Sequence, residues 1–110
     1  MDIQIRNVGG VSILDIDGNL DTNNSPSAEA EVNQLLDDGH DKILFNFADL
    51  NFISSSGLRV LLATAKKLKM TGGKMMVCGL NETVQEVFDI SGFATILSLA
   101  SNEEEALASF

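Results

Sequence analysis

Three adjacent serines, Ser54, Ser55 and Ser56, are the residues of this chain whose type and spacing could support chemistry. They stand in "LNFISSSGLRVLL", residues 50–62, between an apolar segment and a run with helical periodicity. A serine that caps a helix accepts a backbone hydrogen bond and stabilises the helix by about 1 kcal/mol. A serine on an exposed turn can instead receive a phosphoryl group, which adds roughly −1.5 to −2 charges. One serine is enough for the cap, so the other two raise the question of modification.

Other residue types that build reactive sites are few or scattered. Asp15, Asp17 and Asp21 form the best group of carboxylates, and three carboxylates could bind a divalent cation, but no fourth ligand accompanies them. The single cysteine, Cys78, and the single histidine, His40, have no neighbouring cysteine or histidine with which to bind a metal. A Ser-His-Asp triad would depend on His40 alone. We therefore predict no catalytic residue, no metal and no cofactor.

The composition describes one acidic domain. A chain of 110 residues with 45% hydrophobic content can bury one core. The net charge of −9 and the absence of tryptophan and tyrosine argue against nucleic-acid binding, which needs cationic and stacking side chains. No apolar run approaches the roughly 18 residues of a membrane span, and the start "MDIQIRNVGG" lacks the features of a secretion signal. We expect a cytoplasmic protein without a membrane span.

The basic residues are concentrated in one segment of this acidic chain. Arg59, Lys66, Lys67 and Lys69 lie within eleven positions, and Lys74 follows closely. Such a segment could steer an acidic partner towards the protein, or it could be an ordinary solvated helix face.

The elements that position the serines begin with a predicted hairpin and a helix. Gly9-Gly10 separates two largely apolar runs, "IQIRNV" and "VSILDID", as expected for two strands joined by a tight turn. "GNLDTNNSPS" predicts a loop, in which Pro26 suits the first turn of a helix capped by Ser25. The spacing of apolar residues then predicts an amphipathic helix that is closed by Gly39.

The remaining chain alternates between strands and helices. "KILFNFADL", residues 42–50, predicts a single apolar strand, and "KMMVCGL" a further one. Between them, an apolar stripe predicts a helix from the serines to the glycine pair at 72–73; its members are Leu58, Leu61, Leu62, Ala65 and Leu68. Asn81 should cap a short helix, "ATILSLAS" should form a last short strand, and "NEEEALASF" a final helix. We expect Met70, Met75 and Met76 to fill the core.

This element order predicts an α/β domain. Strands linked by helical crossovers pair in parallel, and the initial hairpin adds one antiparallel pair. The expected architecture is a mixed, mostly parallel sheet of four to five strands with about four helices.

Three stretches of the sequence resemble one family. "LNFISSSGLRVLL" resembles the signature of STAS-domain anti-sigma factor antagonists, in which an apolar strand end precedes Asp-Ser-Ser/Thr-Gly-Leu and a helix. "DIDGNLDTNN" resembles the family's Gly-x-Leu-Asp loop, and "GGKMMVCGLNETVQEVFDISGF" resembles its glycine-led strand and following helix. Order and spacing agree over essentially the whole chain, which implies one STAS domain over residues 1–110.

The resemblance implies a regulated binding module. In this family the unphosphorylated domain binds an anti-sigma factor that is also its serine kinase. Phosphorylation by that kinase, with ATP held by the kinase, ends the binding, and a PP2C-type serine phosphatase resets the switch. By position the phosphoacceptor is Ser55, while the motif aspartate is replaced by Ser54. This departure removes a negative charge beside the acceptor and could move phosphorylation to Ser54 or Ser56.

The resemblance also implies a partner-binding surface around the serines. Asp21, in the matching Gly-x-Leu-Asp loop, should help to form it. The full predicted set is Asp21, Ser54, Ser56, Gly57, Leu58 and Arg59.

Two other functions compete with the switch. The chain could be a non-switching STAS subunit of a larger assembly, such as a lipid-transport complex, in which the serines would only cap a helix. It could also bind or hydrolyse nucleotides, but "MTGGKMM" precedes a predicted strand, whereas a phosphate-binding loop precedes a helix. The free-standing length and the three hydroxyls favour the switch.

Overall fold

The computed structural model describes residues 1–110, and its first two strands form the predicted hairpin. Strand β1 (Asp2–Val8) pairs antiparallel with β2 (Val11–Leu20). The turn between them has positive φ angles, 57° at Gly9 and 83° at Gly10. Glycine adopts this left-handed conformation without steric cost, which explains the glycine pair. Strand β2 continues to Leu20 and therefore reaches the neighbourhood of the serines.

The sheet has six strands and is mixed but mostly parallel, which confirms the predicted fold class. Its other strands are β3 (Lys42–Asn46), β4 (Leu50–Ile53), β5 (Lys74–Cys78) and β6 (Leu99–Ala100). The strand order is β1-β2-β3-β5-β6, and β4 pairs with the end of β2. Only the β1–β2 pair is antiparallel.

The prediction of a single strand over residues 42–50 is wrong, because this segment holds β3 and the start of β4. The long strand β2 pairs with β3 through Ser12–Asp15 and with β4 through Gly18–Leu20. A turn at residues 47–49 separates β3 from β4, and the register along β2 shifts between Gly18 and Asn19. The apolar run is continuous because Phe47 and Leu50 of this turn region are also buried. Apolarity alone therefore could not reveal the break, and the strand count rises to six.

Four α-helices connect and cover the strands. They are α1 (Ser25–Asp37), α2 (Ser55–Thr71), α3 (Glu82–Ser91) and α4 (Glu103–Ala108), and a 3-10 turn spans Phe93–Thr95. Asn81 caps α3 as predicted, since its side chain accepts the Val84 N–H at 2.8 Å. The predicted Ser25 cap of α1 is wrong by one position: Asn24 occupies the cap, and the Ser25 hydroxyl donates to the carbonyl oxygen of Asp21.

Two apolar clusters lie on opposite faces of the sheet, because successive side chains of a strand alternate between its faces. The larger cluster includes Leu14, Ile16 and Phe45 with residues of α1, α2 and α3. The smaller one includes Ile13 and Leu44 and is covered by α4.

The sulfur-containing residues follow the predictions with one exception. Cys78 is fully buried, and burial raises the pKa of its thiol to about 11. Met75 and Met76 are buried, whereas the Met70 prediction is wrong, since Met70 is 87% exposed near the end of α2. None of the helices has the length and apolar character needed to cross a membrane.

Candidate functional site

The turn from β4 to α2 is pressed against the end of β2. The Ser54 N–H donates to the carbonyl oxygen of Leu20 at 2.9 Å. A Cβ atom on Gly57 would lie 2.7 Å from Cγ1 of Ile53 and 2.9 Å from Cγ of Leu20, so only glycine fits this first helical turn without displacement. The fold therefore fixes the three serines between two strand ends and one helix start.

Ser54 is the cap of α2. Its backbone is extended (φ −92°, ψ 173°), and its Oγ accepts the Gly57 N–H at 3.2 Å. The predicted helix start at the serines is thus confirmed. An aspartate at this position would cap a helix equally well, so the departure from the family motif preserves the structural role and changes only the charge.

Ser55 and Ser56 differ in what their hydroxyls contact. Ser55 is the first residue of α2, is exposed, and has no side-chain hydrogen bond. The Ser56 Oγ is half-buried and lies 3.4 Å from Oγ1 of Thr22, in the loop that follows β2. Of the three hydroxyls, only that of Ser55 is left unused by the fold.

Asp21 organises the loop beside the serines. Its Oδ1 accepts the N–H groups of Asn23 at 2.9 Å and Asn24 at 3.1 Å, while Oδ1 of Asn24 accepts the Asp21 N–H at 2.8 Å. Asp21 follows Leu20, which bonds to Ser54, so the loop lies next to the α2 start. The structure brings Asp21 and the serines together and gives Asp21 a clear role in shaping the loop.

A shallow groove of about 350 Å³ opens between this loop and α2. It is lined by Thr22, Ser25, Pro26, Glu29, Ser56, Arg59 and Val60. Arg59 is exposed and makes no ion pair with any carboxylate of the chain. By contrast, Leu58 is only 5% exposed and Gly57 is buried. The structure therefore places the Leu58 side chain in the core, as the apolar stripe of α2 predicts, and not on the partner surface that the resemblance implied.

The carboxylate group proposed as a metal alternative is divided between other roles. Asp15 forms an ion pair with Arg6 of β1, which also pairs with Glu103 of α4, and it accepts a hydrogen bond from Nδ2 of Asn46 at 2.8 Å. The bond from Arg6 holds the pKa of the Asp15 carboxyl below its usual value. This network was missed from the sequence, because it depends on strand register and on where α4 docks. It connects β1, β2, β3 and α4 on the face of the sheet away from the serines, so its role is structural.

Comparison with known proteins places these features in a family. The family model of the STAS domain matches residues 2–106. BtrV of Bordetella bronchiseptica, named as an anti-sigma factor antagonist, is 36% identical over 110 residues, which cover 100% of this chain and 95% of that protein. The anti-sigma F factor antagonist of Paenibacillus polymyxa is 31% identical over 97% of this chain and 92% of the relative.

Solved structures agree with this fold. A Thermotoga maritima protein described as an anti-sigma factor antagonist superposes with a TM-score of 0.93 at 24% identity, covering 97% of this chain and 92% of that one. The Bacillus cell fate determinant SpoIIAA, solved in its phosphorylated form, superposes with a TM-score of 0.76 at 25% identity, and 98% of each chain is covered. The first likeness confirms the fold, and the second shows that a structural relative carries a phosphoryl group.

Proposed function

The chain belongs to the STAS domain family, and on that premise we propose that it is an anti-sigma factor antagonist controlled by phosphorylation of Ser55. Its unphosphorylated form binds an anti-sigma factor that is also a serine kinase, and phosphorylation ends the binding. The observation that carries this proposal is the unequal use of the three hydroxyls: Ser54 caps the helix, Ser56 faces Thr22, and Ser55 is exposed and unbonded.

A phosphoryl group at Ser55 is compatible with the fold. Ser55 is the first residue of α2, and the first turn of this helix contains no acidic residue. The N-terminal end of a helix favours an anion, because its free N–H groups and the helix dipole are positive there. The effect of phosphorylation therefore falls on the surface, where roughly −1.5 to −2 charges appear on an otherwise neutral turn.

The surface around Ser55 is the proposed partner contact. It combines the exposed parts of Ser54 and Ser56 with the Asp21 loop and the free guanidinium of Arg59. A partner carboxylate could pair with Arg59 before phosphorylation. After phosphorylation, the phosphoryl group would repel such an acidic partner surface, because bringing like charges together costs several kcal/mol.

This binding module has no enzymatic activity and acts in the cytoplasm beside the kinase. Its relatives carry the names of antagonists, which are binding proteins. A PP2C-type serine phosphatase would reset the module, and the exposure of Ser55 suits the access that such an enzyme requires.

Phosphopeptide mapping tests the assignment. The protein is incubated with its cognate anti-sigma factor kinase and ATP, and the tryptic peptide of residues 43–59, which holds all three serines, is fragmented to locate the phosphate. We expect modification at Ser55, none in Ser55→Ala, and normal modification in Ser56→Ala. Ser55→Ala should keep partner affinity, and Ser55→Asp should lower it at least about tenfold.

Two results would contradict the proposal. Phosphate on Ser54 or Ser56 in the wild-type protein would move the acceptor. Absence of phosphate, together with a stable transporter complex that Ser55→Asp leaves unchanged, would favour the fixed-subunit function instead.

A further inference from the structure

The basic end of α2 borders an apolar groove that the proposed function does not use. This groove, of about 450 Å³, lies between the C-terminal half of α2 and residues 96–98. Its apolar lining consists of Leu62, Ala65, Leu68, Met75, Ile96 and Leu97. Ile96 is 62% exposed at the rim, so a large apolar side chain is left without a partner at this position.

Two lysines at the rim of the groove are also unpaired. Lys66 and Lys69 line the groove, and the ion pairs of the chain all involve Arg6, so neither lysine has a carboxylate within pairing distance. Lys74 lines it as well, but its Nζ donates to the carbonyl oxygen of Ser109. Lys67 lies outside the groove and donates to Oδ1 of Asn33 at 2.7 Å. The groove therefore fits an apolar side chain that is flanked by carboxylates.

Helix α3 presents a surface of that composition. Ile90 is 80% exposed, and Glu86 and Asp89 are exposed four residues and one residue before it. Residues three and four apart share one side of a helix, so these side chains form one patch, opposite the buried Val84 and Phe88. We define it as the Ile90 patch. It offers one large apolar group beside two acidic ones.

We propose that the groove is filled by the Ile90 patch of a second copy of this chain. Only Gly92 and the 3-10 turn Phe93–Thr95 separate α3 from Ile96, so the donating patch lies close in the chain to the rim of the accepting groove. A surface that contains both parts is self-complementary, and a two-fold axis can satisfy both contacts at once. Each copy donates its Ile90 patch and receives that of the other.

Charge favours a protein over a membrane as the occupant. The chain carries a net charge of −9, which opposes approach to an extended anionic surface. Two copies also repel each other at long range through their net negative charge. At 0.15 M ionic strength the screening length is about 8 Å, so this long-range repulsion is largely screened, whereas close contacts between lysine and carboxylate are screened much less. Ser55 lies eleven residues before Lys66, about 16 Å along the helix, and remains free in the dimer. The dimer therefore does not depend on the proposed switch.

Sedimentation measurements with a charge swap test this dimer. We expect the wild-type chain to dimerise with a micromolar dissociation constant at 0.15 M salt, typical of a small, transient interface. Lys66→Glu with Lys69→Glu should raise that constant at least about tenfold, and so should Glu86→Lys with Asp89→Lys. An equimolar mixture of these two double variants should form dimers again, because both contacts of the mixed dimer are complementary.

The control is a double variant with the same change of charge outside the groove. Lys42→Glu with Lys67→Glu should dimerise like the wild type, since Lys42 begins β3 and Lys67 faces α1. A wild-type chain that stays monomeric up to near-millimolar concentration would overturn the proposal, and so would a mixture that does not recover. Binding of phosphatidylglycerol vesicles through Lys66 and Lys69 by a monomer would assign the groove to a membrane instead. Restored dimerisation in the mixture also shows that both double variants are folded.

Discussion

The two ends of helix α2 make opposite use of their side chains. At the N-terminal end, Ser54 and Gly57 bond to or press against neighbouring strands, and Ser56 faces Thr22. At the C-terminal end, Met70 is 87% exposed and Lys69 pairs with nothing in the chain. At the first end two of the three serine hydroxyls contact other groups of the fold, whereas at the second end Lys66 and Lys69 pair with no carboxylate of the chain. A single free hydroxyl at the first end therefore indicates a functional role by itself. Free side chains at the second end indicate one only when several of them form a surface together.

The largest effect should come from filling the space at Gly57. Gly57→Val places a branched side chain against Ile53 and Leu20, where even a Cβ atom would lie within 3.0 Å of its neighbours. Overpacking of this kind should destabilise the fold by about 3 kcal/mol, measured by urea unfolding. Met70→Val is the matched control at the exposed end and should change stability by less than about 0.5 kcal/mol. Equal losses at the two positions would show that the ends are equally constrained.

Removing the cap should have the next largest effect. Ser54→Ala deletes the hydrogen bond to the Gly57 N–H and should lower the free energy of unfolding by about 1 kcal/mol. Ser55→Ala should change it by less than about 0.5 kcal/mol, because the Ser55 hydroxyl bonds to nothing. Ser54→Asp, which restores the family motif, should keep the stability of the wild type. A Ser55→Ala loss as large as that of Ser54→Ala would contradict the assigned division of roles.

An added acid should have opposite signs at the two ends. Ser55→Asp places negative charge at the positive end of the helix dipole and should raise stability by about 0.3–1 kcal/mol at low salt. Lys69→Glu places it in the last turn and should lower stability by a similar amount, about 0.3–1 kcal/mol. Thermal unfolding of both variants, repeated at high salt, checks this, because both effects should shrink as the charges are screened. Changes of the same sign in both would refute the dipole explanation.

The smallest effects should come from neutralising the lysines. Lys66→Ala should leave stability within about 0.5 kcal/mol of the wild type, since Lys66 makes no ion pair. Lys67→Ala should lose slightly more, because Nζ of Lys67 donates to Oδ1 of Asn33. Urea unfolding of both variants is the measurement. A loss above 1 kcal/mol for Lys66→Ala would mean that the basic end does serve the fold.

Much of the fold could be predicted from local patterns. The hairpin turn and the ends of the helices depend on residues within a few positions of one another. The Gly9-Gly10 turn, the Asn81 cap and the apolar stripe of α2 were all predicted correctly. The family resemblance, carried by short motifs in a fixed order, was likewise confirmed.

Features that depend on pairing between distant segments could not be predicted. The division of residues 42–53 between β3 and β4 follows from the length and register of β2. The link between Arg6, Asp15 and Glu103 follows from where α4 docks. In each case the deciding partner is far away in the sequence, so no local pattern contains it.

The three serines show both what local sequence predicts and what only the pairing of distant segments decides. By itself the sequence determined that a helix begins at "ISSSG" and that it offers more hydroxyls than a cap requires, because capping is a local hydrogen bond. Only the tertiary structure decided which hydroxyl is free. The end of β2 and the loop after it, 34 residues earlier in the chain, bond to the backbone of Ser54 and face Ser56, and they leave Ser55 in solvent.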